Sequence, residues 1–404
     1  RAPSQRLVER FARYDTPAVM VGAVLVAAVP PALGQGPFRD WLYRALVLLV
    51  ISCPCALVIS TPVAVVSAIA RAARRGVILK GGAYLEALGQ IRVLALDKTG
   101  TLTGGRPMVS EVRSLNGASE DEVLAMAAAA EARSGHPLAA AIVREAATRG
   151  HTIAGGAEVL QETPGRGVEA VVAGRTVCAG QLEFVRERCG LSVDGADHQA
   201  DLMRERGQTV VAVASAGELV GLIGLSDSPR PEAAGAVKQL RDLGLHLVML
   251  TGDNERTAAA MSQELGIQDY RAGLRPEDKR EAVAHLVGHH GHVGMVGEGV
   301  NDAPALAAST VGIAMGAAGS HATLETADVV LMADDLARLP GLIRLGRRTR
   351  GTITANVAAA LAIKALFLGL AVAGVATLWM AVFADVGASL LVIANGMRLL
   401  RAEV

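Results

Sequence analysis

Three stretches of this chain are too apolar and too poor in charge to belong to an ordinary water-soluble fold. Thr16 to Phe38 and Ala45 to Ala70 carry no charged residue, and Gly351 to Met397 carries only Lys364 and Asp385. A helix needs about 20 apolar residues to cross a bilayer. The pattern therefore predicts four transmembrane helices in two pairs, the last two joined by a tight bend near Gly374 to Trp379. Arg1, Arg6, Arg10 and Arg13 precede the first run, and Arg71, Arg74, Arg75 and Lys80 follow the second. Arg344, Arg347, Arg348 and Arg350 precede the third, Arg398 and Arg401 follow the fourth, and only Arg39 and Arg44 lie on the other side. By the positive-inside rule both termini and the central region are expected to be cytoplasmic.

The 39 basic and 39 acidic residues balance, so electrostatics suggests no nucleic-acid partner. Four cysteines are no disulfide framework, and Cys178 and Cys189, in the soluble part, are expected to be reduced. The first apolar run is long and lacks a small-residue cleavage site, so it does not read as a cleavable leader.

Between Arg71 and Arg350 short apolar runs end in small or acidic residues and alternate with amphipathic segments. IRVLAL runs into Asp97, HLVML into Thr251, and GMV into Gly297 and Glu298; VGIAM and DVVLM follow. Helical patterns fall between them at Pro231–Leu243, Arg256–Leu265 and Pro276–Val287. The alternation predicts a doubly wound α/β sheet, whose ligands bind beyond the carboxyl ends of its strands. Residues 111–224 interrupt that order with an Ala-rich helix, SGHPLA, and β-like pieces such as VEAVVAG and TVVAVAS. An inserted α+β domain is expected there. The predicted organisation is 1–80 for the first membrane pair, 81–110 with 225–343 for the α/β domain, 111–224 for the insert and 344–404 for the second membrane pair.

The string DKTGTLT (97–103) places an aspartate at a strand end, followed by a Gly-supported turn. It resembles the phosphorylation motif of P-type ATPases. A carboxylate there can attack the γ-phosphorus of ATP and form an acyl phosphate, given magnesium and cations to offset charge. TGD (251–253) and VNDAP (300–304) resemble that family's other phosphate and magnesium segments, which are shared with haloacid-dehalogenase-like folds. The resemblance implies a Rossmann-type phosphorylation domain with catalytic roles for Asp97, Lys98, Thr99, Thr251, Gly252, Asp253, Lys279, Asn301 and Asp302. Magnesium would be held at Asp97, Thr99 and Glu298. Taken singly, Lys279 reads as a solvated helix residue and Asp302 as a helix N-cap.

SGHPLA (134–139), with Glu131 upstream and GRG (165–167) downstream, looks like the nucleotide pocket of heavy-metal-transporting P-type ATPases. Glu131, His136, Pro137, Gly165 and Gly167 are the implied ATP-binding residues. The cluster GHHGH (288–292) reads more readily as a solvated turn than as a metal site.

In ISCPCALVIS (51–60) two thiols flank a proline inside an apolar run. Residues i and i+2 of a regular helix point about 200° apart, so Cys53 and Cys55 cannot share a ligand on an intact helix. Pro54 removes a backbone donor and breaks the helix, which membrane proteins tolerate where the freed groups line a site. Lys364 lies 14 residues in from Arg350, Asp385 13 from Arg398 and Cys55 16 from Arg71. At 1.5 Å per residue these depths are comparable, roughly 20 Å from the cytoplasmic ends. Two thiolates and a carboxylate suit a tetrahedral divalent cation, with Lys364 as counter-charge to Asp385. The CPC motif, AIKALF around Lys364 and ADVGASLLVIANGMRLL around Asp385 are similar to the zinc/cadmium/lead exporter subclass. The similarity covers essentially the whole sequence. It implies ATP and Mg2+ as cofactors, Zn2+, Cd2+ or Pb2+ as cargo, and residence among lipids of a bacterial inner membrane.

Two departures stand out. The family's actuator domain carries a Thr-Gly-Glu loop that delivers the hydrolytic water, and no such string occurs here, so the actuator and its helices are expected in cis or in trans. The family's GDGVNDAP reads GEGVNDAP here (297–304), which lengthens a magnesium ligand by one methylene. Two functions are therefore carried forward: an ATP-driven exporter core, and a non-pumping remnant that binds metal and nucleotide.

Overall fold

The computed structural model describes residues 3–53, 55–151, 158–163, 165–189, 196–298, 302–316 and 325–402. Pro54 and Asn301, both singled out above, lie outside the described residues.

The membrane part opens with α1 (Pro3–Ala32), α2 (Phe38–Ser52) and α3 (Cys55–Arg74). Among the described residues three helical stretches are long and apolar enough to cross a membrane: Phe38–Arg74, Arg338–Ala371 and Leu378–Arg401. The first of the four expected spans falls on α1, whose apolar stretch is the shorter Thr16–Ala32 at its end. Pro30 and Pro31 fall at that end of the helix, and Gly34 and Gly36 adopt positive φ just beyond it, so the apolar residues up to Phe38 do not extend it.

The soluble part continues through β1 (Val77–Leu79), α4 (Gly82–Leu88), β2 (Val93–Asp97), β3 (Met108–Ser114), α5 (Glu120–Glu131), α6 (Pro137–Thr148), β4 (Glu158–Thr163), β5 (Gly167–Val172), β6 (Arg175–Gly180), α7 (Leu182–Cys189), α8 (Ala196–Glu205), β7 (Thr209–Ser215) and β8 (Glu218–Ser226). Then come α9 (Ala233–Asp242), β9 (His246–Leu250), α10 (Glu255–Leu265), β10 (Asp269–Arg271), α11 (Pro276–His290), β11 (Val293–Gly297), α12 (Ala303–Ala308), β12 (Val311–Met315) and β13 (Val329–Leu331). Two membrane helices, α13 (Arg338–Val372) and α14 (Leu378–Met397), complete the chain.

Seven strands form one sheet in the order β1-β13-β12-β11-β2-β9-β10. All neighbours are parallel except β1, which runs antiparallel to β13. Alternate residues of β2 serve opposite faces, as strand geometry requires. Leu94 and Leu96 join the cluster beneath α4, α9, α10 and the start of α13, whereas Val93 and Ala95 pack beneath α11 and α12. A second, wholly antiparallel sheet, β3-β8-β7-β6-β5-β4, is covered by α5 and α6 on one face and by α7 and α8 on the other.

Two continuous connections tie the parallel sheet to the membrane helices. α3 runs directly into the edge strand β1, whose Ile78 pairs with Val330. α13 begins with Leu339, Leu342, Ile343 and Leu345 buried in the sheet's core and continues for 35 residues into the apolar region. Gly346 of α13 crosses Gly89, just beyond α4, so closely that a Cβ on Gly346 would lie 2.7 Å from the Gly89 amide nitrogen. Only glycine permits that approach. α13 stops at Gly374, φ +75°, and Thr377 caps α14 by accepting from the Met380 amide at 3.3 Å, the tight bend expected there.

Candidate functional site

Sheet register places the acidic residues. Asp97 is paired with Leu250 and Leu96 with Val296. The next residues along, Thr251 and then Gly297 with Glu298, must therefore flank Asp97 at the carboxyl edge. Asp97 is buried, and Lys279, from the first turn of α11, donates to its Oδ1 at 2.5 Å and to Asp302 Oδ1 at 2.8 Å. Asp302 occupies the N-cap position of α12 but makes no side-chain cap there; its carboxylate turns to Lys279 instead. Burial, reinforced by Asp302 and opposed by Lys279, pushes the Asp97 carboxyl up to about 7. Lys98 pairs with Asp253. Thr251 is buried, and its hydroxyl accepts from the Asp253 amide at 3.1 Å across Gly252, which fixes the TGD turn. Thr99 is exposed, on the loop between Lys98 and Gly100.

The sequence reading missed the residues that hold this loop. Arg230 donates to the carbonyls of Gly100 at 2.8 Å and Thr101 at 3.0 Å. The Thr103 hydroxyl, with one proton to give, faces both Asp227 and the Lys98 carbonyl, the latter at 3.0 Å. The other Asp227 oxygen, Oδ1, is buried without a hydrogen-bond partner among the described residues. The signal was DSPRP (227–231), where prolines flank an arginine at the return from the inserted sheet.

The donors here suit a hard cation. Magnesium takes carboxylate and carbonyl oxygens, and Asp97, Asp302 and Glu298 supply carboxylates at one sheet edge. Glu298 sits over the loop so closely that a Cβ on Gly100 would overlap its Oε2. Burial and the charges of Asp334, Asp227 and Asp302 raise its pKa, while Arg230 opposes them.

A second cavity is lined by Glu131, Ser134, His136, Glu162, Gly165 and Gly167, which brings together four of the five predicted nucleotide residues, all but Pro137, from the end of α5, the N-cap of α6 and the start of β5. His136 caps α6, its Nδ1 accepting from Leu138 at 3.2 Å, with Pro137 in the first turn. Gly167 has a packing reason as well: a Cβ there would lie 2.5 Å from the Ala179 carbonyl oxygen and 2.6 Å from Phe184. Glu131 is buried; burial first, and Glu162 second, push its carboxyl up to about 7 against a hydrogen bond from Ser134.

In the membrane region α2 ends at Ser52 and α3 begins at Cys55. The donor atoms of Cys53, Cys55 and Asp385 all lie within 4.8 Å of one another. Lys364 lines the same cavity with Ala56, Ile363, Phe367 and Ala384. One detail differs from the expected pair of free thiols: Cys53 and Cys55 are joined as a disulfide. The broken helix brings their Cα atoms to 5.4 Å, inside bridging range, so the same break that lets two thiolates share a cation also lets them join. Metal binding by both sulfurs belongs to the reduced pair. Nearer the positively charged helix ends, Asn395 donates to Asn356 at 2.7 Å and Asn356 to the Val392 carbonyl at 3.2 Å, a polar tie between α13 and α14 that the sequence reading did not single out.

Residues 91–310 match the haloacid dehalogenase-like hydrolase family. This chain belongs to that family. Within that family it is similar, along its whole length, to P-type ATPases whose names refer to cadmium, zinc or lead. It is similar to a protein named probable cadmium-transporting ATPase in Alkalihalophilus pseudofirmus, 44% identical over all of this chain and 56% of that protein. It is likewise similar to the zinc/cadmium/lead-transporting P-type ATPase of Escherichia coli, 46% identical over 99% of this chain and 53% of that protein. The fold superimposes on the crystal structure of a zinc-transporting PIB-type ATPase in the E2.Pi state with TM-score 0.90 and 46% identity, covering 99% of this chain and 65% of that one. The chain spans about half the length of the curated P-type ATPases it matches.

Proposed function

We propose that this chain forms the phosphorylation, nucleotide-binding and metal-binding core of an ATP-driven exporter of zinc-like divalent cations, Zn2+, Cd2+ or Pb2+. The observation that carries the reading is the physical continuity between two separate centres. Asp97, held by Lys279, lies in the sheet that α3 enters through β1 and α13 leaves, and the Cys53, Cys55 and Asp385 cluster lies in the apolar region of the same helices and α14.

In this reading ATP binds with its base near His136 and Glu131. An oxygen of Asp97 attacks the γ-phosphorus, a P–O bond forms, and the bond to the bridging oxygen breaks to release ADP. Lys279 offsets negative charge on the phosphoryl group, and Thr251 holds one of its oxygens. Magnesium, held by Asp97, Thr99 and Glu298, would supply charge neutralisation at the transferring phosphate. Reduced Cys53 and Cys55 with Asp385 bind the cargo, and Lys364 compensates Asp385 when the cation leaves. Phosphorylation strains the loop tied to Asp227 and Arg230, and α3 and α13 carry that change to the metal centre. Hydrolysis of the acyl phosphate requires a Thr-Gly-Glu loop supplied in cis or in trans. The reading places the protein in a bacterial inner membrane with the two sheets in the cytoplasm, as supported by its Lys and Arg distribution.

Glu298 favours one alternative, a silenced core that binds metal and nucleotide without turning over, because its carboxylate crowds the loop at Gly100. Transfer of labelled phosphate from ATP separates the two. Acid-stable, hydroxylamine-labile label that is lost in Asp97→Asn supports the exporter core. Label appearing only in Glu298→Asp supports the silenced core, and its absence from both proteins would sink the phosphorylation site.

A further inference from the structure

Helix α11 carries chemistry at both ends. Lys279 in its first turn serves Asp97, while its last turns expose His285 and His289. A four-residue spacing puts two side chains on one face of a helix, and the two imidazoles lie with ring centroids 4.1 Å apart and planes tilted by 31°. His289 Nδ1 meets the His285 carbonyl oxygen at 2.9 Å. Since a carbonyl can only accept, Nδ1 carries the proton and the Nε2 lone pair is left to bind. A backbone acceptor that fixes the tautomer in this way is how metal-ligating histidines are commonly oriented.

The surroundings favour a cation. The helix C-terminus carries negative partial charge, and Glu281 stands one turn earlier on the same stripe. Its contact with Arg280 is long, 3.9 Å, between two exposed side chains, so it is held only weakly where it is. A pair of neutral imidazoles selects borderline transition-metal cations over magnesium or calcium, which require oxygen ligands.

We propose that His285 and His289 form a divalent-cation site on the soluble domain, separate from both centres described above, that takes Zn2+, Ni2+ or Cu2+ with water completing the coordination. The eye-catching GHHGH motif does not supply the pair. His290 ends the helix and His292 lies beyond it, half-buried, on the approach to β11. The partner of His289 is His285, which lies outside the motif. Binding would brace the last turns of the helix that presents Lys279.

The test is calorimetric titration of the purified full chain with ZnCl2, in a Cys53→Ser/Cys55→Ser background that silences the membrane cysteines. The number of Zn2+ bound should fall by one in His285→Ala and in His289→Ala alike, and stay unchanged in His290→Ala. All four proteins should show the same far-ultraviolet circular dichroism, since these side chains are exposed. An unchanged number in either His285→Ala or His289→Ala overturns the proposal. So does the absence of any Zn2+ binding in the double-serine background.

Discussion

Lys279 Nζ lies 2.5 Å from Asp97 Oδ1, although 182 residues separate the two in the chain. The contact addresses a conflict within the site. Burial that excludes water from Asp97 also raises its pKa, and Asp302 adds to the effect; a buried cation opposes both. The same ammonium stands beside the carboxylate that would receive a phosphoryl group.

Replacing Lys279 with methionine should therefore slow phosphorylation by about 10²-fold or more, the usual loss when one pre-positioned charge partner is removed from a transferring group. Quenched-flow incorporation of labelled phosphate gives the rate, and ATP protection from proteolysis gives nucleotide binding. A loss confined to the rate fits the assigned role. An unaffected rate would remove Lys279 from the chemistry.

Shortening Glu298 to aspartate should raise phosphorylation at limiting Mg2+ by about tenfold, because a carboxylate on a shorter arm crowds the Gly100 loop less and restores the acid length a magnesium ligand has in the resembling motif. Phosphoenzyme formation measured against Mg2+ concentration tests this. A flat response to the substitution would show that the loop already accommodates the longer side chain.

Gly100 adopts φ +75° directly under the Glu298 carboxylate. An alanine there combines left-handed backbone strain with a steric clash, so Gly100→Ala should cost about 1–3 kcal/mol of local stability. Adding Glu298→Ala should restore part of it by removing the clash and leaving the strain. Hydrogen exchange over residues 98–103 reports the local effect, and equal protection in both variants would contradict the packing account.

Glu131 makes a pH prediction. Its carboxyl is raised from 4.5 to about 7 in the folded protein, so between those values the folded chain holds a proton that the unfolded chain has released. Stability from this group is complete below about 4.5 and is lost as pH rises through about 7, a change of at most roughly 3 kcal/mol. The inserted sheet should unfold at lower denaturant concentration at pH 7.5 than at pH 5.5. Glu131→Gln should flatten that difference; a pH dependence unchanged by the substitution would assign it elsewhere.

In the reduced protein, Cys53→Ser, Cys55→Ser and Asp385→Ala should each weaken Zn2+ binding at the membrane centre by at least about tenfold, as loss of one ligand from a tetrahedral set requires. Competition with a chromogenic chelator under reducing conditions measures it. If Asp385→Ala binds as tightly as the parent, the carboxylate belongs to Lys364 and not to the metal.

How much of this was legible beforehand follows from the range of the interactions. Charge-free runs, the short apolar strands running into Asp97 and Thr251, the proline between two cysteines and the bend at Gly374 are local patterns, and local sterics and hydration decide them. The antiparallel return of the last two membrane helices even allowed Lys364 and Asp385 to be set at one depth. At the first apolar run Pro30, Pro31 and the glycines after them end the helix before the apolar residues end.

By itself, then, the sequence determined the elements, the strand-end acids and the chemistry available at each centre. Only the tertiary structure decided meetings that no motif announced: Arg230 and Asp227 beneath the 98–103 loop, Asn395 with Asn356, and His289 with His285 instead of with its neighbours in GHHGH. These meetings depend on sheet order, register and helix crossings such as Gly346 on Gly89. Those are set by close packing between segments far apart in the chain, which no local pattern encodes.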